Sequence, residues 1–138
     1  IDPWFIKEVD PSNSRLIFTS RLINDEMPAR IAARIRRRVR DVQLPKIVVI
    51  GAAYKPNVDD PRESPAIEIA NLLREDGYDI AHYDPMIDGM GYSSLVEVCT
   101  GADMLAILVP HSAVIEELER DRAAIERAMR TPIVERYQ

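Results

Sequence analysis

The alternation of short apolar runs with helix-like segments after residue 45 is the feature that most constrains the fold. The first run, residues 46–51, is rich in β-branched residues and ends in glycine, which is typical of a buried parallel strand. Further apolar runs cover residues 78–83, 103–109 and 132–135. Strands that alternate with helices favour right-handed crossovers. The sequence therefore predicts an α/β fold whose parallel sheet carries helices on both faces.

Turn and capping residues predict where the helices between these strands begin and end. Ser64 can cap a helix, and Pro65 suits its first position, while Gly77 is placed to end it. Ser94 and Glu97 have the spacing of a capping box, which predicts a second, short helix.

A long helix is predicted ahead of the sheet, over residues 12 to about 42. Its apolar or small positions recur in steps of three and four residues: Leu16, Ser20, Ile23, Met27, Ile31, Ile35 and Val39. Pro28 lies inside and predicts a kink or a break near residues 25–27. We interpret this helix as a connector or an oligomer seam outside the core. The predicted division is residues 1–44 for the helical region and residues 45–138 for the α/β domain.

The net charge of −5 conceals an asymmetry between these two regions. Residues 1–45 carry a charge of +3 and the remainder carries −8. The positive excess comes from a run of arginines: Arg30, Arg34, Arg36, Arg37, Arg38 and Arg40. Such a run can neutralise phosphates, but stacking aromatic residues are not interleaved with it. We therefore predict a solvated helix face, or one that meets an acidic surface on a partner, and no nucleic-acid partner.

Composition narrows the cellular setting. No apolar run approaches the roughly 18–20 residues that span a bilayer, and the chain does not open with a basic segment followed by an apolar one. Cys99 is the only cysteine, so an internal disulfide is excluded, which agrees with a reducing compartment. We expect a cytoplasmic protein without a membrane partner.

The apolar neighbours of Cys99 indicate a buried side chain, and His82 lies within a predicted strand, where a structural role is expected. His111 follows the third strand, and either a structural hydrogen bond or a ligand contact suits it there.

The polar loop over residues 52–63 holds the most informative candidates. It brings together side chains that suit an anion, just ahead of a helix N-terminus: Tyr54, Lys55, Asn57, Arg62 and Ser64. Lysine and arginine suit a diphosphate, and tyrosine offers a flat apolar surface. The pattern lacks both common glycine-rich phosphate motifs. An ion-paired structural loop is an equally open interpretation, and its members would be Asp59, Asp60, Arg62 and Glu63.

Three strings carry a resemblance to a known family. GAAYKPNVDDPRESPA begins at Gly51, IDPWFI opens the chain, and RLINDEMP lies in the long helix. Together they resemble the C-terminal part of the nucleotide-sugar 6-dehydrogenases, the UDP-glucose/GDP-mannose dehydrogenase family. Asp-Pro-Trp-Phe is most similar to the branch that oxidises UDP-N-acetyl-D-mannosamine. Two departures stand out: Pro61 replaces the usual Thr, and the C-terminus matches so loosely that Arg136 receives no role.

The resemblance implies that this chain is one part of a longer enzyme. Members have an NAD-binding domain, a helical middle that dimerises, and a Rossmann-like C-terminal domain that binds the UDP-sugar. The implied reaction uses two NAD⁺ to oxidise a C6 alcohol to a carboxylate through a cysteine thioester. By family spacing, the nucleophilic cysteine would sit four residues before Asp2, outside this chain. We therefore expect a homodimer through the long helix, no bound NAD, no metal and no activity of the chain alone.

Individual roles follow from the resemblance, position by position. Asp2 matches an aspartate that activates the hydrolytic water. Lys55 is expected to reach the diphosphate or the sugar, and Tyr54 to pack near it. Arg62 is assigned to the substrate site, with bracing of the loop as its alternative. Asn24 is expected in packing or in a dimer contact.

Other functions remain open at this stage. A UDP-glucose or UDP-N-acetylglucosamine 6-dehydrogenase would share most of these features. A non-catalytic dimerisation or scaffold module would need only the helix and the α/β unit. A receiver domain like those of response regulators fits the alternation, with Asp84 at a strand end. Asp59 and Asp60, however, lie too far into their loop to complete its acidic site.

Overall fold

A parallel sheet with helices on both sides forms the body of the computed structural model, which describes residue 10 and residues 13–137. Within that part of the chain, the helices and strands run as follows: α1 (Arg15–Arg38), β1 (Lys46–Ile50), α2 (Pro65–Glu75), β2 (Asp79–Tyr83), α3 (Leu95–Cys99), β3 (Met104–Ile107), α4 (Ser112–Ala128) and β4 (Ile133–Arg136). The predicted α/β fold is confirmed.

The order of the described strands is β2-β1-β3-β4, and neighbouring strands are parallel. Val48 of β1 lies opposite Ala81 of β2 on one side and Leu105 of β3 on the other. After β2 the chain crosses over β1 to form β3, so the strand order reverses between β1 and β3. In open sheets of this kind, ligands bind outside the carboxyl ends of the strands at such a reversal.

The β-branched run of β1 is buried on both faces of the sheet. Val48 and Ile50 belong to a buried cluster with residues of α3 and α4. Ile47 and Val49 belong to a second cluster with residues of α1 and α2. A strand that is covered on both sides has no solvent-facing position, which explains why this run is apolar throughout instead of alternating.

The two halves of α1 have different surroundings. Ala32, Ile35 and Val39 are buried together with Ile47, so the prediction that this helix stays outside the core is wrong for its second half. Steps of three and four residues reveal an apolar stripe but not what covers it. In the first half, Leu16 is 79% exposed.

Pro28 does not break α1, which stays helical from Arg15 to Arg38. Of the kink or break predicted near residues 25–27, the break is therefore wrong. A proline inside a helix removes one backbone hydrogen bond and costs about 3 kcal/mol in isolation. Here Pro28 is buried, and the following turns pack against the sheet, so tertiary packing offsets that cost.

The helix starts differ in detail from the capping predictions. The side chain of Ser64 does not cap α2, since its hydroxyl donates to the carbonyl oxygen of Ala53 at 3.2 Å. Ser94 does cap α3, accepting from the backbone N–H of Glu97 at 3.1 Å. The carboxylate of Glu97 completes the turn by accepting from Ser93, one residue earlier than a regular capping box requires.

Arginines of α1 meet acidic and aromatic groups of the same chain. Nε of Arg36 lies 2.6 Å from Asp76, and Nε of Arg38 lies 2.7 Å from Glu135. The guanidinium of Arg34 lies over the ring of Tyr137, 4.8 Å from its centroid. The acidic groups that Arg36 and Arg38 meet belong to this chain, not to a partner as one of the two interpretations expected. None of the described helices is long and apolar enough to cross a membrane.

Candidate functional site

The candidate site lies at the carboxyl edge of the sheet, where β1 and β3 end side by side. Gly51 leaves β1 with φ +118°, and a Cβ atom at this position would lie 2.5 Å from the side chain of Val109. Only glycine therefore allows the chain to pass this close to the end of β3. The loop that starts here, residues 51–64, contains the polar segment 52–63 singled out in the sequence.

Asp84, which follows β2, holds the base of this loop. Its Oδ2 accepts hydrogen bonds from the backbone N–H groups of Ala52 at 2.7 Å and Ala53 at 2.9 Å, and its Oδ1 accepts from Met86 at 2.8 Å. Burial of the carboxyl group works against ionisation, but these N–H donors and His111 outweigh it, so the pKa of Asp84 is lowered. Asp84 is consequently a buried carboxylate that orders the backbone above it.

Asn57 ties the far side of the loop to the start of α4. Its backbone N–H donates to Nδ1 of His111 at 2.9 Å. Its side chain accepts from the backbone N–H of Ser112 at 2.9 Å and donates to the Ser112 hydroxyl at 3.1 Å. Asn57 adopts the left-handed conformation with φ +63°, which asparagine tolerates better than most residues. Its side chain thereby acts as the N-cap that His111 does not provide.

Lys55 and Tyr54 stand between these two attachments. The backbone N–H of Tyr54 donates to the carbonyl oxygen of Asp60 at 2.6 Å, while its side chain is 57% exposed. Lys55 is exposed, and its ammonium group has no hydrogen-bond or ion-pair partner among residue 10 and residues 13–137. The tip of the loop therefore presents an aromatic ring and an unpaired cation to solvent.

Arg62 is already engaged within the loop. Its guanidinium forms two hydrogen bonds with Asp60, at 2.9 Å from Nε and 2.7 Å from Nη2. Hydrogen bonds from the side chain and backbone of Arg62 lower the pKa of Asp60 to about 2. Pro61, the departure from the family pattern, leaves this ion pair intact, so Arg62 braces the loop in the structure as it stands.

A polar cleft of about 360 Å³ separates the loop from α1. Asn24 of α1, Tyr54 of the loop and Pro65 at the start of α2 all line it. Its lining residues are Arg21, Asn24, Asp25, Pro28, Tyr54, Glu63, Ser64, Pro65 and Glu68. Arg21, which lines the cleft, is paired with Asp25 at 3.1 Å. The structure thus brings Asn24 of the helix to the same cleft as Tyr54 of the loop.

The remaining sequence candidates are placed as follows. Asp2 lies outside the described residues. Cys99 is buried, as its apolar neighbours predicted, and burial raises the pKa of its thiol to about 12. His82 contacts the carbonyl oxygen of Gly51 through Nε2 at 2.5 Å, and burial lowers its pKa. His111 is fully buried and bonded to Asp84 at 2.9 Å. Of its two open roles, the structure therefore shows the structural hydrogen bond.

Sequence reasoning missed how Asp84 and Asn57 are used. Asp84 was placed at a strand end but not under the loop, and Asn57 was grouped with the anion-binding side chains. A buried strand that ends in an aspartate beside a polar loop was the available signal for the first. No local pattern linked Asn57 to Ser112, since these residues lie 55 positions apart.

Within the described residues, no group of three or more histidine, cysteine or acidic side chains could hold a metal ion. The loop offers backbone amides, polar side chains and Lys55, an exposed lysine without a described partner. A lysine and backbone amides can bind an anion, and the neighbouring Tyr54 ring offers a flat surface.

Comparison with known proteins places this geometry in a family. The model of the "UDP-glucose/GDP-mannose dehydrogenase family, UDP binding domain" matches residues 48–135. The UDP-N-acetyl-D-mannosamine dehydrogenase of Methanocaldococcus jannaschii is 39% identical over 113 residues, covering 80% of this chain and 26% of that protein. The enzyme of the same name from Methanococcus maripaludis is 38% identical over 117 residues, covering 82% of this chain and 27% of that protein.

Solved structures agree with the sequence comparison. The UDP-N-acetyl-mannosamine dehydrogenase of S. aureus matches with a TM-score of 0.83 and 31% identity, over 97% of this chain and 32% of that one. The UDP-D-ManNAc dehydrogenase of Pyrococcus horikoshii matches with a TM-score of 0.85 and 28% identity, over 99% and 32%. The chain therefore spans about a third or less of the length of these relatives.

Proposed function

The chain belongs to the UDP-glucose/GDP-mannose dehydrogenase family and carries its UDP-binding domain, and from this premise we propose that residues 51–64 bind the UDP part of a nucleotide sugar. The observation that carries the proposal is Lys55. It is an exposed cation without a described partner, on a loop whose two sides are fixed by hydrogen bonds. A diphosphate is the ligand charge that such a lysine suits.

The surroundings of Lys55 support the same ligand. Tyr54 offers an aromatic surface next to it in the chain. Arg62 lines a common cavity with Tyr54, where it could exchange Asp60 for a phosphate. The start of α2 lies in the same cleft, and the Ser64 side chain leaves its first amides uncapped. A helix N-terminus favours negative charge. In this proposal Asn24, across the cleft, is close to the sugar.

We place the substrate as UDP-N-acetyl-D-mannosamine, with oxidation of its C6 hydroxyl to a carboxylate by the longer NAD-dependent enzyme. The names of the relatives with 34–39% identity support this sugar. A dehydrogenase from Ralstonia solanacearum named for NDP-N-acetyl-D-galactosaminuronic acid is 32% identical. UDP-glucose and UDP-N-acetylglucosamine are the alternative substrates. In this proposal the longer protein works in the cytoplasm in polysaccharide synthesis, and Asp2 activates the hydrolytic water.

The residues of this chain do not fit NAD. The first strand is followed by Gly51, Ala52 and Ala53, without the glycine fingerprint that brings a backbone close to a dinucleotide. The cofactor is therefore proposed to bind in the part of the longer protein that this chain does not cover. Cys99, the sole cysteine of the sequence, is buried with a raised pKa and does not suit a nucleophile.

It follows that the 138-residue chain by itself should not oxidise a nucleotide sugar. Purified chain incubated with NAD⁺ and UDP-N-acetyl-D-mannosamine is expected to form no NADH, measured by absorbance over hours. A rate above that of a heat-denatured sample would contradict the proposed division of labour.

The UDP site is tested by titrating the ¹⁵N-labelled chain with UDP and following the amide signals of residues 52–57. We expect weak binding, because the rest of the enzyme is missing from the cleft. Lys55→Ala should weaken it about tenfold, since one hydrogen bond to a charged group contributes about 1.5 kcal/mol.

Arg127→Ala is the matched control, because it removes one exposed positive charge at the opposite end of the sheet. It should leave the UDP affinity unchanged. Equal UDP affinity of Lys55→Ala and the unmodified chain would refute the proposed site.

A second candidate function rests on the exposed half of α1. Leu16, Ile17, Leu22 and Ile23 are apolar yet exposed in the monomer. They support the proposed homodimer, and they would equally serve a scaffold module that binds no nucleotide. Sedimentation tests the pairing, while the UDP titration separates an enzyme domain from a scaffold: a dimer that ignores UDP would favour the scaffold.

A further inference from the structure

Beneath the tip of the loop, three distant parts of the chain meet in one hydrogen-bonded line. Oδ2 of Asp84 lies 2.9 Å from Nε2 of His111, and Nδ1 of His111 lies 2.9 Å from the backbone nitrogen of Asn57. Asp84 and His111 are both fully buried. This line connects the end of β2 to the loop through the residue before α4.

Hydrogen-bonding chemistry assigns the protons of this line without ambiguity. The backbone nitrogen of Asn57 carries a hydrogen, so Nδ1 of His111 must be the acceptor. Nε2 therefore carries the hydrogen and donates it to the carboxylate of Asp84. The imidazole is held in a single neutral tautomer, since a second proton on Nδ1 would remove the acceptor that Asn57 uses.

The line matters for Lys55 because the loop is short between its attachments. Asp84 fixes Ala53 on one side and, through His111, fixes Asn57 on the other. Three residues separate these two points, and one of them is Pro56, whose φ is restricted. The backbone that carries Lys55 is thus set by a histidine that does not itself reach the cleft.

We propose that His111, oriented by Asp84, is a positioning residue for UDP binding: it holds Asn57 and thereby keeps the backbone of Lys55 where the diphosphate meets it. This inference rests on the proposed UDP site. A purely structural role is the competing explanation, in which the buried histidine only satisfies polar groups at the edge of the sheet.

Two substitutions of His111 separate its two contacts. The side-chain amide of His111→Asn reaches about as far as Nδ1, so it keeps an acceptor for Asn57 and loses the contact with Asp84. The amide of His111→Gln reaches about as far as Nε2, so it keeps a donor for Asp84 and loses the contact with Asn57. Both variants disturb the buried site, but only the second should free the loop.

The experiment measures two quantities on the full 138-residue chain: the hydrogen-exchange rate of the Asn57 amide without ligand, and the affinity for UDP. For His111→Gln we expect exchange at Asn57 to be about tenfold faster and UDP binding about fivefold weaker, as fits the loss of one hydrogen bond. His111→Asn should stay within about twofold of the unmodified chain in both quantities.

Thr131→Val is the matched control for lost stability. It removes the 2.8 Å hydrogen bond from Thr131 to buried Asp103 at the other end of the sheet, so it should lower stability without changing Asn57 exchange or UDP affinity. Unchanged Asn57 exchange in His111→Gln would overturn the inference. Faster exchange with unchanged UDP affinity would overturn it as well, leaving a structural histidine.

The proposed function fails separately. If UDP causes no response in the unmodified chain, the UDP site is refuted, and with it the positioning role in binding. The Asn57 exchange rates of the two His111 variants would then show whether the histidine fixes the loop at all.

Discussion

The two ends of the sheet each contain a fully buried aspartate, and the two aspartates are used differently. At the amino end, Asp103 accepts from Arg130 at 2.8 Å, from Thr131 at 2.8 Å and from the backbone of Lys46 at 3.0 Å. At the carboxyl end, Asp84 accepts only backbone N–H groups and the neutral His111 among its described partners.

The difference shows that one residue type has two uses. Asp103 holds chain segments together through an ion pair, whereas Asp84 orders the loop of the candidate site. Asp103 takes up the charge of an arginine, so little is left there to bind a ligand. Asp84 spreads its charge over uncharged donors, and the cation above it, Lys55, stays free. A buried carboxylate with uncharged partners can order a loop without neutralising the group that the loop presents.

The largest expected effect comes from removing the carboxylate at the carboxyl end. Asp84→Leu should lower the free energy of unfolding by about 3–5 kcal/mol, because the N–H groups of Ala52, Ala53 and Met86 lose their acceptor in a buried place. Urea unfolding measures it. Asp84→Asn keeps one acceptor oxygen, so its free energy of unfolding should lie between those of the unmodified chain and Asp84→Leu. A loss below 1 kcal/mol for Asp84→Leu would show that water replaces the carboxylate and that the anchoring is weak.

The ion pair of Asp103 with Arg130 at the amino end should make the free energy of unfolding depend on pH. Hydrogen bonds from Arg130, opposed by burial, lower the pKa of Asp103 to about 2 in the folded protein, whereas an unfolded aspartate titrates near 3.9. The stabilisation is therefore present above about pH 4 and is lost as the pH falls toward 2, by up to about 2 kcal/mol.

Comparison with Asp103→Asn isolates this residue from the other carboxylates. The difference in the free energy of unfolding between the unmodified chain and the variant should shrink as the pH falls from 5 to 2. A difference that stays constant across this range would mean that Asp103 titrates normally and that its contact with Arg130 is not ionic.

The smallest effect is expected at Arg62, which is ion-paired within the loop but was also assigned to the substrate site. Its pair with Asp60 is exposed, so Arg62→Ala should change the free energy of unfolding by less than about 1 kcal/mol. UDP affinity should fall about two- to threefold, less than for Lys55→Ala, because Arg62 must leave Asp60 before it can contact a phosphate. An effect on UDP binding larger than that of Lys55→Ala would make Arg62 the principal cation of the site.

Local patterns were sufficient to predict the fold. The β-branched run before Gly51, together with Ser64 and Pro65 at the start of a helix, indicated a strand, a loop and a helix in that order, and each is observed. Burial on both faces followed from the lack of polar alternation in β1. These signals are local, because propensity and periodicity act over a few residues.

Local sequence patterns did not predict which distant residues each side chain contacts. The stripe that includes Ile35 looks the same whether it meets a second copy or the chain's own sheet, so its burial against Ile47 was not predicted. The loop and its exposed Lys55 were found from the sequence, but the line from Asp84 through His111 to Asn57 joins three segments that only the strand order brings together. Long-range hydrogen bonds of this kind leave no periodic trace.

The unburied first half of α1 has a consequence for how this protein behaves in a test tube. If two copies pair along Leu16, Ile17, Leu22 and Ile23, assembly stabilises the folded state by mass action. The midpoint of a thermal melt would then rise with protein concentration. A melting temperature of this protein would therefore have meaning only together with the concentration at which it was measured.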